Sequence, residues 1–543
     1  MSYSFETRRR RTFAIISHPD AGKTTLTEKL LLFSGAIQIA GSVKARKATR
    51  HATSDWMEIE KQRGISVASS VMQMVYRDHV INLLDTPGHK DFSEDTYRVL
   101  TAVDSALMVI DAANGVEAQT RRLIEVCRQR DTPILTFVNK MDREVRDPLD
   151  ILDEVERELG MPCVPMTWPV GQGKTFGGII NLRTQAMTVF ESGSDRRTQD
   201  FETIPLTERA RLEQRFGHDF QVAMDAIELA CGASPTFDRE AFLAGKQTPV
   251  FFGSGVNNFG VMEVLDALVD LAPSPQNRIS SFVVNKQPVI RTVHPEDEAF
   301  SGVVFKVQAN MDPSHRDRIA FVRMCSGKYT PGLKLKVMRT AKELRPTSVV
   351  TFMSQRREAV EEAYAGDIVG FTTHGGVQLG DTITDGSVNL QFTGLPFFAP
   401  ELFQTVVLRN PLRTKQLQQG LAQLGEEGAI QVFRPEIGGN MLLGAVGQLQ
   451  FEVVQHRLKG EYDADIRLEG SQYTGARWIT ADTPAELRAF CDAYPMRMAR
   501  DAANTLAYLC TSPYDVRLAQ ERFPKIHFHP LREHAGLALH NAG

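Results

Sequence analysis

The sequence predicts a multidomain α/β protein. We expect a mostly parallel sheet with helices on both faces, then a β-barrel domain, then an α+β C-terminal domain. Short apolar runs alternate with helix-period segments over residues 12–142, short alternating strands follow over residues 280–390, and the helix period returns after Pro400. The first rhythm is typical of parallel sheets, and the second of small antiparallel barrels.

Composition places the chain among globular proteins. It has 543 residues, of which 42% are hydrophobic and 24% charged, and this excludes disordered, collagen-like and coiled-coil classes. At about 150 residues per domain, the length predicts three or four domains. The balance of 62 Lys and Arg against 66 Asp and Glu gives a formal charge of −4. This argues against a positively charged surface that binds nucleic acid without sequence specificity.

Cysteine usage and apolar runs predict a cellular compartment. Six cysteines occur without a C-x-x-C pair or a zinc-like spacing, which indicates buried thiols in a reducing environment. The apolar stretch at residues 13–16 is too short for a signal peptide, and no run approaches the ~18 apolar residues of a membrane span. We therefore expect a cytoplasmic protein with no membrane partner, and also a monomer that binds no DNA.

Domain boundaries follow from changes in this pattern. The first domain is predicted over residues 1–279, with an inserted subdomain at about 165–240, because residues 143–248 are too long for a simple connection between neighbouring strands. A Pro-rich linker at residues 272–275 ends this domain. The β-barrel is predicted over 280–395, with a short helical period near residues 356–364, and the α+β domain over 396–543.

A phosphate-binding loop is predicted at residues 17–24. The segment fits the pattern G-x-x-x-x-G-K-[ST] except at its first position, and it leaves a strand and opens a helix. The loop amides would hold phosphates, the lysine would reach the β and γ oxygens, and the threonine hydroxyl would ligate Mg²⁺. A chance turn is the alternative. The residues concerned are Ser17, His18, Pro19, Asp20, Ala21, Gly22, Lys23 and Thr24.

A second motif follows the apolar run at residues 80–84. Asp85 emerges at a strand end, on the ligand side of such a sheet, where it can hold Mg²⁺ through water. The amide of Gly88 can sense the γ-phosphate. Another G-K-T, at residues 173–175, lacks the first glycine and a following helix, so it predicts a hairpin turn.

A third motif selects the base. Asn139, Lys140 and Asp142 follow the run at residues 133–138, and a carboxylate suits the paired N–H donors of guanine, which adenine lacks. Alone this tetrapeptide could be a solvated turn, but in this order the three motifs predict a P-loop GTPase domain that binds GTP and GDP. Ser254 and Gly255 are weaker candidates for guanine contacts. The hydroxyl of Ser66 is a candidate Mg²⁺ ligand, with an ordinary turn as the alternative.

The order of these motifs resembles the translational GTPases. Within them, the segments 17–24, 54–66, 85–91, 109–113 and 310–318 are similar to the bacterial peptide chain release factor 3 family, as are segments 433–435, 444–451 and 517–522 near the C-terminus. The resemblance spans nearly the whole chain.

This resemblance implies a ribosome-dependent GTPase of translation termination. Its partners would be the ribosome and the class I release factors, whose dissociation and recycling it promotes. His89 stands at the family's position for orienting the attacking water. Without the resemblance, it could be an ordinary surface histidine beside a turn. Pro19 and Ile65 match the family's apolar pair beside this histidine. The basic segments 8–11 and 44–47 could contact ribosomal RNA or could simply be solvated faces.

Other functional classes remain as alternatives. An elongation-type or ribosome-protection GTPase would share these motifs but would need further C-terminal domains. A P-loop kinase or ATPase would have no use for Asn139 and Asp142. A non-catalytic GTP-binding scaffold is expected to lack Lys23 or His89, and both residues are present.

Overall fold

The computed structural model describes residues 3–37, 66–190, 201–284, 287–309, 318–353, 356–373 and 376–533. These residues form two compact units. The first unit consists of the described residues within 1–89, 103–276 and 352–358, and the second of the described residues within 90–102, 277–351 and 359–543. Each unit contains its own clusters of buried hydrophobic side chains.

Helices and strands alternate over the first half of the chain. The helices are α1 (Tyr3–Arg8), α2 (Lys23–Phe33), α3 (Ser93–Ala102), α4 (Ala118–Arg128), α5 (Pro148–Leu159), α6 (Arg209–Ala233), α7 (Arg239–Leu243) and α8 (Val261–Asp270). The strands are β1 (Arg10–Ser17), β2 (Ser70–Tyr76), β3 (His79–Asp85), β4 (Ser105–Asp111), β5 (Ile134–Asn139), β6 (Cys163–Pro165), β7 (Thr167–Val170), β8 (Gly178–Asn181), β9 (Ala186–Val189), β10 (Thr203–Pro205) and β11 (Thr248–Phe252).

The main sheet of the first unit has the strand order β2-β3-β1-β4-β5-β11-β6. Every neighbouring pair is parallel except β2 and β3, which are antiparallel. The strands β1, β4, β5 and β11 are buried along their whole length, as expected for a sheet covered on both faces. The predicted parallel sheet is therefore confirmed, with one antiparallel edge strand that the sequence pattern did not reveal.

A second, antiparallel sheet with the order β10-β9-β8-β7 precedes α6 and α7. The G-K-T at residues 173–175 forms a 3₁₀ turn between the antiparallel strands β7 and β8. The predicted hairpin turn is confirmed, and this G-K-T does not open a helix.

Strands dominate the second half of the chain. They are β12 (Arg278–Val284), β13 (Gln287–Val293), β14 (Ser301–Ala309), β15 (Arg318–Ser326), β16 (Lys328–Tyr329), β17 (Leu335–Val337), β18 (Lys342–Leu344), β19 (Ser348–Met353), β20 (Arg356–Ala359), β21 (Ala363–Tyr364), β22 (Ile368–Thr373), β23 (Thr382–Thr384), β24 (Pro396–Phe398), β25 (Leu402–Leu408), β26 (Gln431–Pro435), β27 (Leu442–Ala445), β28 (Ile466–Gly470), β29 (Gly475–Ala481), β30 (Met498–Arg500), β31 (Leu506–Cys510), β32 (Ile526–His529) and β33 (Leu531–Glu533). The helices are α9 (Thr414–Glu426), α10 (Gln448–Tyr462), α11 (Pro484–Ala493) and α12 (Pro513–Arg522).

These strands form antiparallel sheets, as the sequence predicts for a β-rich domain followed by an α+β domain. One sheet contains the order β18-β17-β23-β14-β15-β22-β19, and the C-terminal sheet has the order β28-β25-β27-β26-β30-β31-β29-β32. The helical period near residues 356–364 was the wrong prediction, because residues 356–359 and 363–364 are strands. Pairing of Tyr364 with Lys328 across the sheet overrides the local propensity there.

Helix α3 follows β3 in the chain but belongs to the second unit. On this helix Glu94 Oε2 pairs with Arg98 Nη2 at 3.0 Å. Glu94 Oε1 accepts hydrogen bonds from the Gln431 side chain (3.1 Å) and the Phe398 amide (3.3 Å). Arg98 Nη1 donates to the Gly428 carbonyl oxygen at 3.2 Å. Burial raises the pKa of Glu94, although the Arg98 guanidinium opposes the shift.

All six cysteines lie in the described part of the chain and are free thiols. Four are buried, Cys491 is half-buried and Cys231 is exposed, so the expectation of buried thiols is wrong for Cys231. Burial raises the pKa of the Cys127 thiol to about 12. Across the described helices, none combines the length and apolarity that a bilayer span requires.

Candidate nucleotide-binding site

The predicted site residues follow the carboxyl ends of parallel strands, which meet at one edge of the main sheet. In the β1–β3 register Ile15 pairs with Asp85, and in the β4–β5 register Asp111 pairs with Asn139. β11 ends one residue before Gly253, beside the end of β5. Five chain segments that are distant in sequence therefore end side by side.

The loop from Ser17 to Gly22 connects β1 directly to the first turn of α2. Gly22 has a φ of 93°, in the left-handed region that favours glycine. A Cβ atom at this position would also overlap with the side-chain amide of Asn139. Glycine is therefore required twice, once by the backbone and once by the close approach of the third motif.

Lys23 and Asp85 form a buried ion pair at this edge, between Nζ and Oδ1. The other carboxylate oxygen of Asp85, Oδ2, is buried and has no hydrogen-bond partner among the described residues. Thr24 is half-buried one residue further along α2. A cation, a hydroxyl and an under-used carboxylate oxygen thus lie at the start of one helix, where the helix dipole favours anions.

The turn after β3 contacts the phosphate-binding loop. Thr86 Oγ1 donates to the Ile15 carbonyl oxygen at 2.7 Å and so fixes the start of the turn on β1. At Gly88, a Cβ atom would meet the backbone of Pro19 at 3.5 Å. His89 comes next and is half-buried. The predicted γ-phosphate sensor therefore lies directly against the loop.

Asn139 joins the other motifs to the loop. Its Nδ2 donates to the Ala21 carbonyl oxygen at 2.8 Å, and its Oδ1 accepts from the amides of Lys140 (2.8 Å) and Gly255 (2.9 Å). The side chain is buried. Asn139 thus has a structural role between the phosphate loop and the 253–255 turn, which its motif alone did not predict.

Asp142 and Ser254 lie together beside this amide. Asp142 Oδ1 accepts a hydrogen bond from Ser254 Oγ at 2.6 Å, and the Asp142 side chain is half-buried. The amide of Met141 donates to the Gly253 carbonyl oxygen at 3.1 Å. The carboxylate is therefore held by a hydroxyl and keeps acceptor capacity on its other oxygen.

Lys140 reaches from the third motif to two groups. Its Nζ donates to the Asp20 carbonyl oxygen of the phosphate loop and to Asp111 Oδ2 at 2.7 Å. The sequence prediction did not assign Asp111 to the site. Its position at the carboxyl end of a buried strand, like that of Asp85, is the signal that could have found it.

Within the loop, the His18 side chain is fully buried and faces α4 and Glu117, the residue before α4. Its Nε2 lies 3.3 Å from Glu117 Oε1, and its Nδ1 lies 3.5 Å from Thr120 Oγ1. Burial lowers the pKa of His18, although the carboxylates of Glu117 and Asp111 oppose the shift. The imidazole is therefore neutral at pH 7. Its contacts connect the loop to the start of α4.

Some sequence-based candidates lie elsewhere or outside the described residues. Ser66 is the first described residue after residue 37, and it is half-buried. Ile65 and residues 44–47 lie outside the described residues. Of the arginine run, Arg10 and Arg11 are buried, and Arg11 Nε donates to the Val269 carbonyl oxygen at 3.1 Å. These two arginines are therefore internal and do not form an RNA-binding face.

The arrangement suits a nucleoside triphosphate. Loop amides, a helix N-terminus and Lys23 converge where phosphates would lie, and a carboxylate with a neighbouring hydroxyl lies where a base would be recognised. The two ends are joined by the hydrogen bonds of Asn139.

Family models match three consecutive parts of the chain. Residues 8–274 match the Elongation factor Tu GTP binding domain. Residues 299–386 match Elongation factor G domain 2, and residues 392–520 match the C-terminal domain of class II release factor RF3.

Two relatives that match over their full length carry the same name. The chain is 65% identical over 537 residues to peptide chain release factor 3 of Bordetella pertussis, covering 99% of both chains. It is 64% identical over 545 residues to peptide chain release factor 3 of Nitrosomonas europaea, covering all of both. A crystal structure from Thermus thermophilus matches 87% of this chain and 69% of its own with a TM-score of 0.67 at 25% identity.

Proposed function

Because this chain belongs to the peptide chain release factor 3 family of translational GTPases, we propose that it uses GTP binding and hydrolysis to remove class I release factors from terminating ribosomes. The ribosome and these factors are then its partners. The proposal includes a cytoplasmic, monomeric protein with the domain limits 1–279, 280–395 and 396–543.

One observation carries the assignment of the site. Asn139 donates to the carbonyl oxygen of Ala21 and accepts from the amide of Gly255. A single buried side chain therefore connects the phosphate end and the base end of the cleft. Such a connection is expected where one nucleotide must be held at both ends, and it has no purpose in an isolated turn.

Lys23 changes partner when GTP binds. In the structure its ammonium group neutralises Asp85. The β and γ oxygens of GTP carry more negative charge than one carboxylate, and the amides at the start of α2 add to their stabilisation. Lys23 then bonds the phosphates and releases Asp85 Oδ1, so that Asp142 recognises guanine while the loop amides of residues 17–24 hold the phosphate chain.

The residues present fit a magnesium ion. Carboxylate and hydroxyl oxygens are the ligands that Mg²⁺ prefers, and Asp85 Oδ2 is buried with no hydrogen-bond partner among the described residues. Thr24 and Ser66 would ligate the ion directly, and Asp85 would hold it through water. When bound, Mg²⁺ neutralises charge on the β- and γ-phosphates.

His89 orients the attacking water. It follows Gly88, whose backbone lies against the loop at Pro19. His89 is therefore the next residue in sequence after the predicted γ-phosphate sensor. Because His89 is only half-buried, a ribosomal surface can contact the imidazole and fix its orientation. Hydrolysis by the free protein is then slow and accelerates on the ribosome.

The decisive experiment measures GTP hydrolysis with and without ribosomes, together with class I release-factor turnover, in one reaction mixture. We expect ribosome-dependent hydrolysis and faster recycling of the release factor. Hydrolysis that ignores ribosomes would reject the proposed activation. Ribosome-stimulated hydrolysis without faster recycling would instead favour an elongation-type or ribosome-protection role.

A further inference from the structure

Asp111 lies at the point where the end of β4, the base motif and the phosphate loop meet. Its Oδ2 accepts a hydrogen bond from Lys140 Nζ at 2.7 Å, and the same ammonium group donates to the Asp20 carbonyl oxygen. Both members of the ion pair are largely buried, with side-chain exposures of 14% for Lys140 and 8% for Asp111. The pair is therefore shielded from the solvent screening that weakens surface ion pairs.

The backbone fixes both ends of this contact. Asp111 and Asn139 are partners in the parallel register of β4 and β5, so Lys140 starts beside the strand end that carries Asp111. Asp111 Oδ1 accepts from the Ala113 amide at 2.9 Å, and the Gly115 amide donates to the Asp111 carbonyl oxygen at 2.8 Å. The carboxylate is thus held in one orientation, with Oδ2 directed at Lys140.

A buried glutamate stabilises the same turn from behind. Glu154 Oε1 accepts from the Val116 amide at 3.0 Å, and its other oxygen pairs with Arg146. Hydrogen bonds from Lys140 and Ala113 and the charge of Lys140 lower the pKa of Asp111 against the opposing effect of burial. Asp111 is therefore a fixed negative charge beneath the loop.

On the loop side, Asp20 has a φ of 64°, in the left-handed region that few residues other than glycine, asparagine and aspartate adopt. Its carbonyl oxygen accepts from Lys140 Nζ. Because the lysine is also held by Asp111, this hydrogen bond stabilises the left-handed conformation of the loop at Asp20.

We propose that Asp111 is a positioning residue for guanine nucleotide: its carboxylate fixes the Lys140 ammonium group on the Asp20 carbonyl oxygen, so that the phosphate loop and the base motif keep one geometry. Asp111 itself contacts no nucleotide. This proposal rests on the proposed function, since it concerns how tightly the same site holds GDP and GTP.

Asp111→Asn tests the charge and spares the turn. Asparagine keeps the oxygen that accepts from the Ala113 amide, but it turns an N–H₂ group toward the Lys140 ammonium group. We expect release of N-methylanthraniloyl-GDP, followed by stopped-flow fluorescence, to accelerate about ten- to hundredfold, because bonds between charged groups are among the stronger hydrogen bonds. At saturating GTP, ribosome-stimulated kcat should stay within twofold of wild type while KM rises.

A double-mutant cycle separates positioning from a merely structural role. Lys140→Met should accelerate GDP release by itself, and adding Asp111→Asn to it should change the rate less than twofold. Asp104→Asn is the matched control, because Asp104 is a buried acid just before β4, at the opposite edge of the sheet, where it accepts from the Gln276 amide at 3.1 Å. This variant should release GDP at the wild-type rate.

Equal effects of Asp111→Asn in the wild-type and Lys140→Met backgrounds would overturn the proposal, as would unchanged GDP release. If Asp111→Asn does not fold, Lys140→Met tests the contact from its other side, and wild-type release by that variant overturns the proposal. A wild-type chain that holds no labelled GDP would reject the proposed function together with this inference, whereas normal binding with an unaffected Asp111→Asn rejects this inference alone.

Discussion

In the first unit Lys23 pairs with Asp85, and in the second unit Arg98 pairs with Glu94; both pairs are buried. They differ in how the carboxylate is used. Asp85 leaves Oδ2 with no hydrogen-bond partner among the described residues. Both oxygens of Glu94 accept hydrogen bonds, one of them from Gln431 and the Phe398 amide.

This difference separates a binding pair from an architectural pair. A buried charge that is removed from water needs hydrogen bonds from the protein or from a ligand. Glu94 receives them from its own unit, so Arg98 and Glu94 stabilise the fold around α3. Asp85 keeps one oxygen without a hydrogen-bond partner among the described residues, and under the proposed function a phosphate and a cation complete this pair. A buried ion pair alone therefore does not indicate function, and the open oxygen of Asp85 is significant because it lies at the start of α2 beside the phosphate-binding loop.

The largest expected effect is on the hydrolysis rate. Replacing His89 tests whether the first unit has a catalytic group in addition to the pair of Lys23 and Asp85. His89→Ala should leave GTP binding intact and remove most of the ribosome-stimulated hydrolysis, because transition-state groups completed by a partner contribute roughly 10³–10⁵-fold in GTPases. Single-turnover hydrolysis on ribosomes measures the loss. A normal rate in this variant would show that His89 is only a surface histidine.

Lys23→Ala tests the binding pair directly. We expect GTP affinity to fall by about 10²–10⁴-fold, since two hydrogen bonds from a charged donor contribute about 1.5–3 kcal/mol each. Equilibrium binding of labelled GTP measures the change, and Lys174→Ala in the 3₁₀ turn is the matched control with wild-type affinity. Retained tight binding by Lys23→Ala would contradict the assignment of the loop.

Asp142→Asn tests the base end of the same unit. Asparagine places an N–H₂ donor opposite the guanine amine, whereas xanthine offers a carbonyl oxygen there, so preference should shift from GTP to XTP by about a hundredfold or more at ~1.4 kcal/mol per factor of ten. Competition binding with GTP, XTP and ATP on both proteins measures it. An unchanged preference for GTP would mean that residues 139–142 form only a turn, and would reopen the ATPase alternative.

The last prediction concerns the stability of the fold and the architectural pair. Arg98→Met should lower the free energy of unfolding by about 3–5 kcal/mol, because it leaves Glu94 buried without its cation. Urea denaturation followed by circular dichroism measures the loss. Arg121→Met is the control, since its ion pair with Glu158 is half-exposed and contributes about 0–1 kcal/mol. Equal losses in both variants would erase the distinction between the two kinds of pair.

The sequence predicted the first sheet well because its central strands are buried on both faces and read as unbroken apolar runs. The edge strand β2 was missed, since its half-exposed pattern resembles that of a loop. Residues 356–364 look helical, yet Tyr364 pairs with Lys328 in a strand. Local periodicity does not contain the cross-strand contacts that decide such segments.

The site shows the same limit. The motifs located Lys23, Asp85 and Asn139, because phosphate and guanine recognition impose fixed residue types at fixed spacings. The roles of Asp111 and His18 depend on Lys140 and Glu117, which reach them through the fold. No spacing rule connects these partners, so their contacts became visible only in three dimensions.

Helix α3 also has a consequence for the newly made chain. Arg98 bonds the carbonyl oxygen of a residue 330 positions later, and at about 5–20 residues per second synthesis of that stretch takes roughly 15–65 s. During this interval the helix has emerged without its final neighbours. Its i,i+4 pair of Glu94 and Arg98 can already form within the helix, but such a pair contributes only about 0.2–0.5 kcal/mol. An isolated helix of 10 residues is marginal in water, so this segment becomes stably helical only when the C-terminal strands arrive.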